Sequence, residues 1–421
     1  MTGTEALFIQ NSMGHFLAVT ALSAGCAAGV VWLSRLPAVK RLLSRRKKPV
    51  AEPGRAWIEV DLSAVRENAA VLQGLLPVQC RLMAVVKADA YGHGAGPVCR
   101  ALERAGVQAF AVATAAEGAA LRKQGVRGTI LVLGWTSPAE AAEASRKELT
   151  LTVADSAHAN ALDGVGVPLR VHLALDTGMH RLGIPWDDDA AIRAVYRCRN
   201  LRVEGTFSHL GVCDSLEETD ADFTREQIRR FFSAASRMER MGCPPGELHL
   251  QSSYGVLNDR GLPCDYARVG IALYGALGGG ETAEQPERLR PVLALRARVA
   301  LVREIAAGEA AGYGRAFQAE RPTRLAVITI GYADGIPRTL RGGRVLIGGE
   351  AAPIVGRVCM DQLLADVTGL SRAEPGMTAT LIGRDGEAEI SASELALAAG
   401  TIPNELLSRL GPRLGRKTSG G

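Results

Sequence analysis

Between residues 81 and 276, short apolar runs rich in branched aliphatic residues alternate with helical patterns, and this alternation constrains the fold more than any other feature of the chain. The runs are LMAVVKA, AFAVAT, TILVLGW, LTLTVA, LRVHLAL, LRVEGTFSHL, ELHLQSS and YARVGIALYG, with patterns such as GPVCRALERAG and AAEGAALRKQG between them. Strand, helix and strand repeated across this span predict an α/β fold, a (β/α)8 TIM-type barrel with its active site at the C-terminal ends of the strands. From about Pro291 the long helical patterns stop and strands dominate, as in LALRARVALVREI, LAVITIGYADG and TATLIG. A β-rich C-terminal domain is therefore expected, with the early strand Ala56 to Asp61 placed to complete it. The expected organisation is a membrane segment and basic linker over residues 1–50, the barrel over 51–290 and the β-rich domain over 291–421.

The formal charge of +5 is concentrated at one end. Residues 1–50 carry seven Lys and Arg against the single Glu5, which leaves the remainder of the chain close to neutral. A near-neutral folded part that is poor in aromatics has no basic face for nucleic acid, so that class of partner is excluded. Eight scattered cysteines, without a CxxC pair or metal-ligand spacing, predict free thiols and no metal site. Phe16 to Leu33, FLAVTALSAGCAAGVVWL, runs uncharged over a helical length of about 27 Å, close to a bilayer core. Arg35, Lys40, Arg41, Arg45, Arg46, Lys47 and Lys48 follow it. By the positive-inside rule this polarity predicts a single-pass anchor with the folded part in the cytoplasm.

The chemistry is expected at the strand ends. Lys87 follows the apolar run LMAVV, where partial desolvation lowers an amine pKa and suits Schiff-base formation. Arg181 in DTGMHRLG, His209 in FSHLG, and Ser252 and Ser253 in QSSYG follow later strands, and Arg268, Gly270 and Ile271 are read as lying on the eighth. A barrel brings all of these to one rim.

VVKADAYGHG, ARVGIALYG and AGYGRAF together resemble motifs of the alanine racemase family, and the resemblance runs from about Trp57 to Leu414. It implies that Lys87 binds pyridoxal 5'-phosphate covalently. Tyr91, Ser253 and the amides of Gly270 and Ile271 would hold its phosphate, with Arg268 facing the pyridine nitrogen and His209 in the same network. An arginine there leaves the ring a weaker electron sink than a carboxylate would, which favours returning a proton to Cα. Tyr313 matches the second catalytic residue, acting on the L-isomer face opposite Lys87 on the D-isomer face, and reaching the site of a neighbouring subunit in a homodimer. Tyr332, Met360 and Asp361 match residues contributed across that interface to substrate access, and Arg181 matches the group that orients the substrate carboxylate. What the resemblance implies is an isomerase that interconverts L- and D-alanine, L- and D-serine, or both, and supplies D-amino acids for the cell wall.

Three positions depart from the family pattern. Ala174 stands where a lysine usually supports the arginine, Ser252 where asparagine is common, and Asn404 where a tyrosine usually lines the pocket. With HLQSSYG and NELLSRLG, these features are most similar to the membrane-bound serine/alanine racemases of the vancomycin-resistance type. The competing readings are a fold-related decarboxylase using the same cofactor and an inactive, membrane-tethered protein that binds it. GYGRAF and the Arg268 motif favour racemisation over the first, and intact Lys87, Tyr313 and Arg268 speak against the second.

Overall fold

A computed structural model describes residues 54–259, 261–282 and 288–421. The apolar stretch Phe16 to Leu33 lies outside them, and among the described residues no helix is long and apolar enough to cross a membrane.

The alternating runs do form a closed parallel barrel. Strand β1 (Ala56–Asp61) precedes it, and its eight staves are β2 (Arg81–Val85), β3 (Ala109–Val112), β4 (Thr129–Val132), β5 (Thr150–Val153), β6 (Leu169–Asp176), β8 (Leu201–Phe207), β9 (Glu247–His249) and β10 (Tyr266–Val269). A two-residue strand β7 (Ile184–Pro185) adds to the edge of β6. Pairing runs in the order β5-β4-β3-β2-β10-β9-β8-β6 and closes through β5 with β6. Every residue of β3, β5 and β10 is buried, as expected of staves covered by helices outside and packed side chains inside. Two anticipated positions shift slightly. Gly270 and Ile271 are not on the eighth strand, because Gly270 adopts φ −110°, ψ −99° and turns the chain out of the ladder after Val269 into a 3-10 turn over Ile271–Tyr274. Ser252 and Ser253 likewise follow β9 by a short gap and start the helix Ser253–Asn258.

The remaining strands build a second, mainly antiparallel sheet: β11 (Leu293–Ile305), β14 (Thr323–Ile328), β15 (Arg344–Ile347), β16 (Glu350–Val355), β17 (Leu363–Asp366), β18 (Thr378–Asp385), β19 (Ala388–Ile390) and β20 (Gly415–Ser419). Long β11 pairs with both β14 and β18, so this sheet also curls closed. Strand β1 joins it, antiparallel to β11 and parallel to β20, and so threads the start of the described chain through the C-terminal sheet.

Two helices of the C-terminal part reach the barrel. The Ser393 hydroxyl donates to Leu277 O (2.6 Å), and helix Pro403–Ser408 lies against the segment after β2. Contact there is so close that a Cβ on Gly92, which has φ +80°, would fall 2.2 Å from Leu407 O. Arg416 fastens the same point from β20, donating from Nε to Gly92 O (2.9 Å).

Candidate active site

Lys87 leaves β2 through a turn of the wrong hand. Ala88, Asp89, Ala90 and Tyr91 all have φ between 51° and 56°, a left-handed helical turn made without glycine. For L-residues this costs on the order of 1–2 kcal/mol each, so the surroundings must compensate. Main-chain bonds from Ala90 N to Val86 O (2.8 Å), Gly92 N to Ala88 O (2.9 Å) and Gly94 N to Asp89 O (2.8 Å) close the turn internally. Side chains secure both ends. Glu117 accepts from Ala88 N (2.8 Å) through one oxygen and from Ala113 N (2.7 Å) through the other, while the Asp89 carboxylate accepts from Ala95 N (2.8 Å). His93, buried beneath, donates from Nδ1 to Ala90 O (2.8 Å) and Tyr91 O (2.9 Å) and stacks on Tyr274.

This turn aims Lys87 and Tyr91 at the end of the neighbouring β10. The strands are in register through Val269 opposite Ala84, so β2 and β10 end together and Lys87 and Gly270 both leave at the same rim. The Tyr91 hydroxyl lies where a Cβ on Gly270 would stand 2.6 Å from it, which only glycine permits. Ser253 Oγ accepts from Gly270 N (3.1 Å) and Ala272 N (3.2 Å). The Ile271 amide between them has no partner among the described residues. A hydroxyl on each side of a bare amide at a glycine turn is a cradle for an anion. Burial pushes the Tyr91 phenol up to about 12, so it stays a donor at neutral pH.

Arg268, on β10, is buried below this cradle. Nη1 donates to His249 Nδ1 (2.8 Å) and His249 O (2.9 Å), and Nη2 donates to Ser208 O (2.7 Å), Leu250 O (3.1 Å) and His209 Nδ1 (3.2 Å). Nε makes no hydrogen bond among the described residues and remains available. Burial lowers the guanidinium to about 10, which still leaves it charged at neutral pH. Burial and then the Arg268 cation drive His209 down to about 3, so this histidine is neutral and accepts. Lys87 is depressed by burial first and by Arg181 next, with Glu117 opposing. Both effects favour the neutral amine, the form that can act as a nucleophile.

Lys87, Tyr91, His209, Ser253, Arg268, Gly270 and Ile271 therefore do come together. Ser252 borders the cluster, half-buried, with its Oγ 3.5 Å from Cys213 Sγ. Arg181 is exposed, yet close enough to act electrostatically on Lys87 and Arg268. It makes no hydrogen bond or ion pair among the described residues, and Ala174, buried on β6, offers it none. Asn404 is the second residue of the helix that abuts the Lys87 turn; it is half-buried and its side chain makes no hydrogen bond among the described residues.

The other expected residues form a separate group on the C-terminal sheet. Tyr313 occupies a short turn between β12 (Ala310–Ala311) and β13 (Phe317–Gln318), next to Arg357, and is 65% exposed. Tyr332 N donates to Cys359 O (3.0 Å) and Ala333 N to Met360 O (2.9 Å), which brings Tyr332 and Met360 together, both also exposed. Asp361 is held by Arg413 (2.6 Å). No hydrogen bond or ring contact joins Tyr313 to the Lys87 cluster among the described residues.

Pattern reading overlooked Glu117, His172 and His249. Thr114-x-x-Glu117 is a capping box, and both of its bonds are formed at the start of helix Ala115–Lys123, but nothing in the motif tells that the same carboxylate also holds Ala88 N.

Known proteins with a similar chain were found on each comparison. Family models described as "Alanine racemase, N-terminal domain" and "Alanine racemase, C-terminal domain" match residues 60–278 and 292–418. An amino-acid racemase of Enterococcus faecalis is 42% identical over 414 residues, 97% of this chain and 57% of the relative. A serine/alanine racemase of Enterococcus gallinarum is 39% identical over 374 residues, 88% of this chain and 52% of the relative. The chain thus spans little more than half the length of these relatives. A crystal structure of alanine racemase from Bacillus anthracis with bound L-Ala-P superposes with a TM-score of 0.81 at 31% identity, covering 87% of this chain and 95% of that one.

The Glu117 contacts generate a prediction. Glu117→Ala removes the acceptor of Ala88 N at the strained turn and of Ala113 N and Thr114 N after β3, and should destabilise the protein by about 1–3 kcal/mol, read from urea denaturation. A wild-type midpoint and slope would show that the turn does not depend on this carboxylate.

Proposed function

This chain belongs to the alanine racemase family, both of whose domains it carries, and from that premise we propose that it is a pyridoxal-phosphate-dependent amino-acid racemase acting on alanine and serine. The observation that carries the reading is the pairing of a half-buried amine of lowered pKa, Lys87, with an anion cradle at Tyr91, Ser253, Gly270 and Ile271. When bound, pyridoxal phosphate supplies a carbonyl carbon for attachment to an amine and an electron sink for loss of the Cα proton. The residues fit it. The cradle offers neutral hydroxyl and amide donors to a phosphate, and Arg268 has its Nε–H unshared among the described residues for an acceptor such as a ring nitrogen.

Lys87 attaches the cofactor and moves the Cα proton on one face of the substrate. A second acid/base must serve the other face, and Tyr313 is the residue we assign. Its exposure, like that of Tyr332 and Met360, supports a homodimer in which Tyr313 of the partner subunit approaches Lys87. Met360, Asp361 and Tyr332 then border substrate access, and Arg181, without an acid of its own, receives the substrate carboxylate. Interconversion of L- and D-alanine in this way supplies D-amino acids for the cell wall. Lys87→Ala should lose both cofactor attachment, seen as absorbance near about 420 nm expected of such linkages, and racemisation. Tyr313→Ala should keep the absorbance but exchange the Cα proton of the two enantiomers unequally in D2O. Equal exchange of both would contradict the two-base assignment.

For serine, the position that matters is Asn404, next to the Lys87 turn. An amide in place of a tyrosine ring leaves room for a hydroxymethyl group and can both donate to it and accept from it. Leaving a buried hydroxyl unpaired costs about 1–3 kcal/mol, which this amide can offset, whereas alanine needs neither room nor partner. The serine/alanine racemase among the relatives supports the same reading. Asn404→Tyr should lower serine turnover relative to alanine about tenfold, or about 1.4 kcal/mol in the ratio. An unchanged ratio removes Asn404 as the determinant.

We also propose that residues 1–50 tether the enzyme to a membrane with its folded part on the cytoplasmic side, in the manner of the vancomycin-resistance type. Supporting this are the uncharged run Phe16 to Leu33, the seven basic residues of the segment, and a likeness to the Enterococcus faecalis relative that extends into it. A protein lacking residues 1–50 should be soluble and fully active, while the whole chain should stay with membranes through a high-salt wash. Release of the whole chain by salt alone would mean an electrostatic attachment instead.

A further inference from the structure

Below Arg268 lies a pair of buried histidines to which the reaction described so far gives no task. His249 Nε2 is 2.7 Å from His172 Nδ1, and His249 Nδ1 is 2.8 Å from Arg268 Nη1. Both imidazoles are almost wholly shielded from solvent. A guanidinium has donors only, so His249 Nδ1 must accept. A neutral imidazole that accepts at Nδ1 carries its proton on Nε2, and that proton has to be donated to His172 Nδ1. His172 is thereby the terminal acceptor of a one-way chain, Arg268 to His249 to His172. Burial first, and then the Arg268 charge, hold His172 down at about 4 and His249 well below the ordinary histidine value, so neither ring takes a second proton at neutral pH.

The backbone makes specific room for this contact. His172 is on β6 and His249 on β9, with β8 between them. The pairing of β6 with β8 slips after Val171, so that Val171 faces Val203 while His172 faces Gly205, which leaves Glu204 without a partner. A Cβ on Gly205 would stand 2.7 Å from His172 Cε1 and 2.8 Å from Nδ1. The imidazole therefore crosses the barrel interior over a bulge and a bare glycine. Phe207, stacked on His249 at 5.0 Å with 12° between the planes, stops that ring from turning.

We propose that His172 is a positioning residue, which acts through His249 to hold Arg268 with its unshared Nε–H directed at the cofactor. The inference rests on the racemase reading for the identity of the cofactor. Without an acceptor at His172, the His249 Nε2–H is left buried and unpaired, and the alternative tautomer would set an N–H against the Arg268 N–H. Either outcome loosens the guanidinium.

The test compares two substitutions in the full chain, one apolar and close to histidine in size and one smaller but polar. His172→Leu removes the acceptor, whereas His172→Asn keeps an amide oxygen near the place of Nδ1. Three quantities are read: the dissociation constant for pyridoxal phosphate by absorbance titration of the apoprotein, the kcat and KM for alanine, and the melting temperature of the apoprotein. His172→Leu should weaken cofactor binding and lower kcat by about tenfold each with KM little changed, and His172→Asn should restore both. A structural role alone would move the melting temperature and leave the cofactor constant and kcat in place. Should the leucine variant fail to fold, His172→Met replaces it. Wild-type binding and turnover in the acceptor-free variant, or an asparagine variant as impaired as that one, overturns the proposal. If the wild-type protein itself binds the cofactor but racemises nothing, the racemase reading fails while the binding comparison still decides the role of His172.

Discussion

Arg268 is a cation taken out of water with no carboxylate to meet it among the described residues. Removing a charged group from water costs several kcal/mol even after relaxation, and a buried ion without a counter-charge is normally avoided. Here the cost is met by neutral acceptors: three main-chain carbonyls and two imidazoles that burial, and then the same charge, keep unprotonated. The arrangement has two consequences. Positive potential builds at the barrel mouth, where Arg181 adds to it, and this reinforces the depression of Lys87 by burial while attracting an anionic ligand. A fixed guanidinium that cannot give up its proton also limits how far a bound pyridine ring can draw electrons away, which suits an enzyme that only moves a proton.

The second constraint is the left-handed turn. Four L-residues in that conformation are tolerable because the segment is pinned from three directions: Glu117 from the barrel, His93 from below, and Gly92 under Leu407 and Arg416 from the C-terminal part. The C-terminal sheet is therefore more than an attachment to the barrel. It holds the segment that carries both Lys87 and Tyr91, and presents Tyr313, Tyr332 and Met360 on an exposed face of its own.

Much of this was legible in the chain. Most of the eight staves stand out as apolar runs because a parallel sheet covered on both faces has little polar side, and Ala56–Asp61 does pair in the second sheet. The residues gathered round Lys87 were readable because each sits at or just beyond a strand end, where a barrel collects side chains. What could not be read depends on contacts distant in sequence. His172 and His249 are separated by 77 positions and look like ordinary interior histidines until β8 slips between them. Glu117 satisfies a capping box and gives no sign that it also holds Ala88. The left-handed turn was hidden because Ala88, Asp89, Ala90 and Tyr91 have no glycine to mark it.

The central claim is that this site returns a proton to either face of Cα and does nothing else to the substrate. The most direct measurement follows both enantiomers by chiral chromatography after the protein, loaded with pyridoxal phosphate, is given L-alanine alone and D-alanine alone. The account predicts that either start converges on equal amounts of the two enantiomers with total alanine conserved. Loss of alanine without appearance of its mirror image, or release of carbon dioxide, would contradict it.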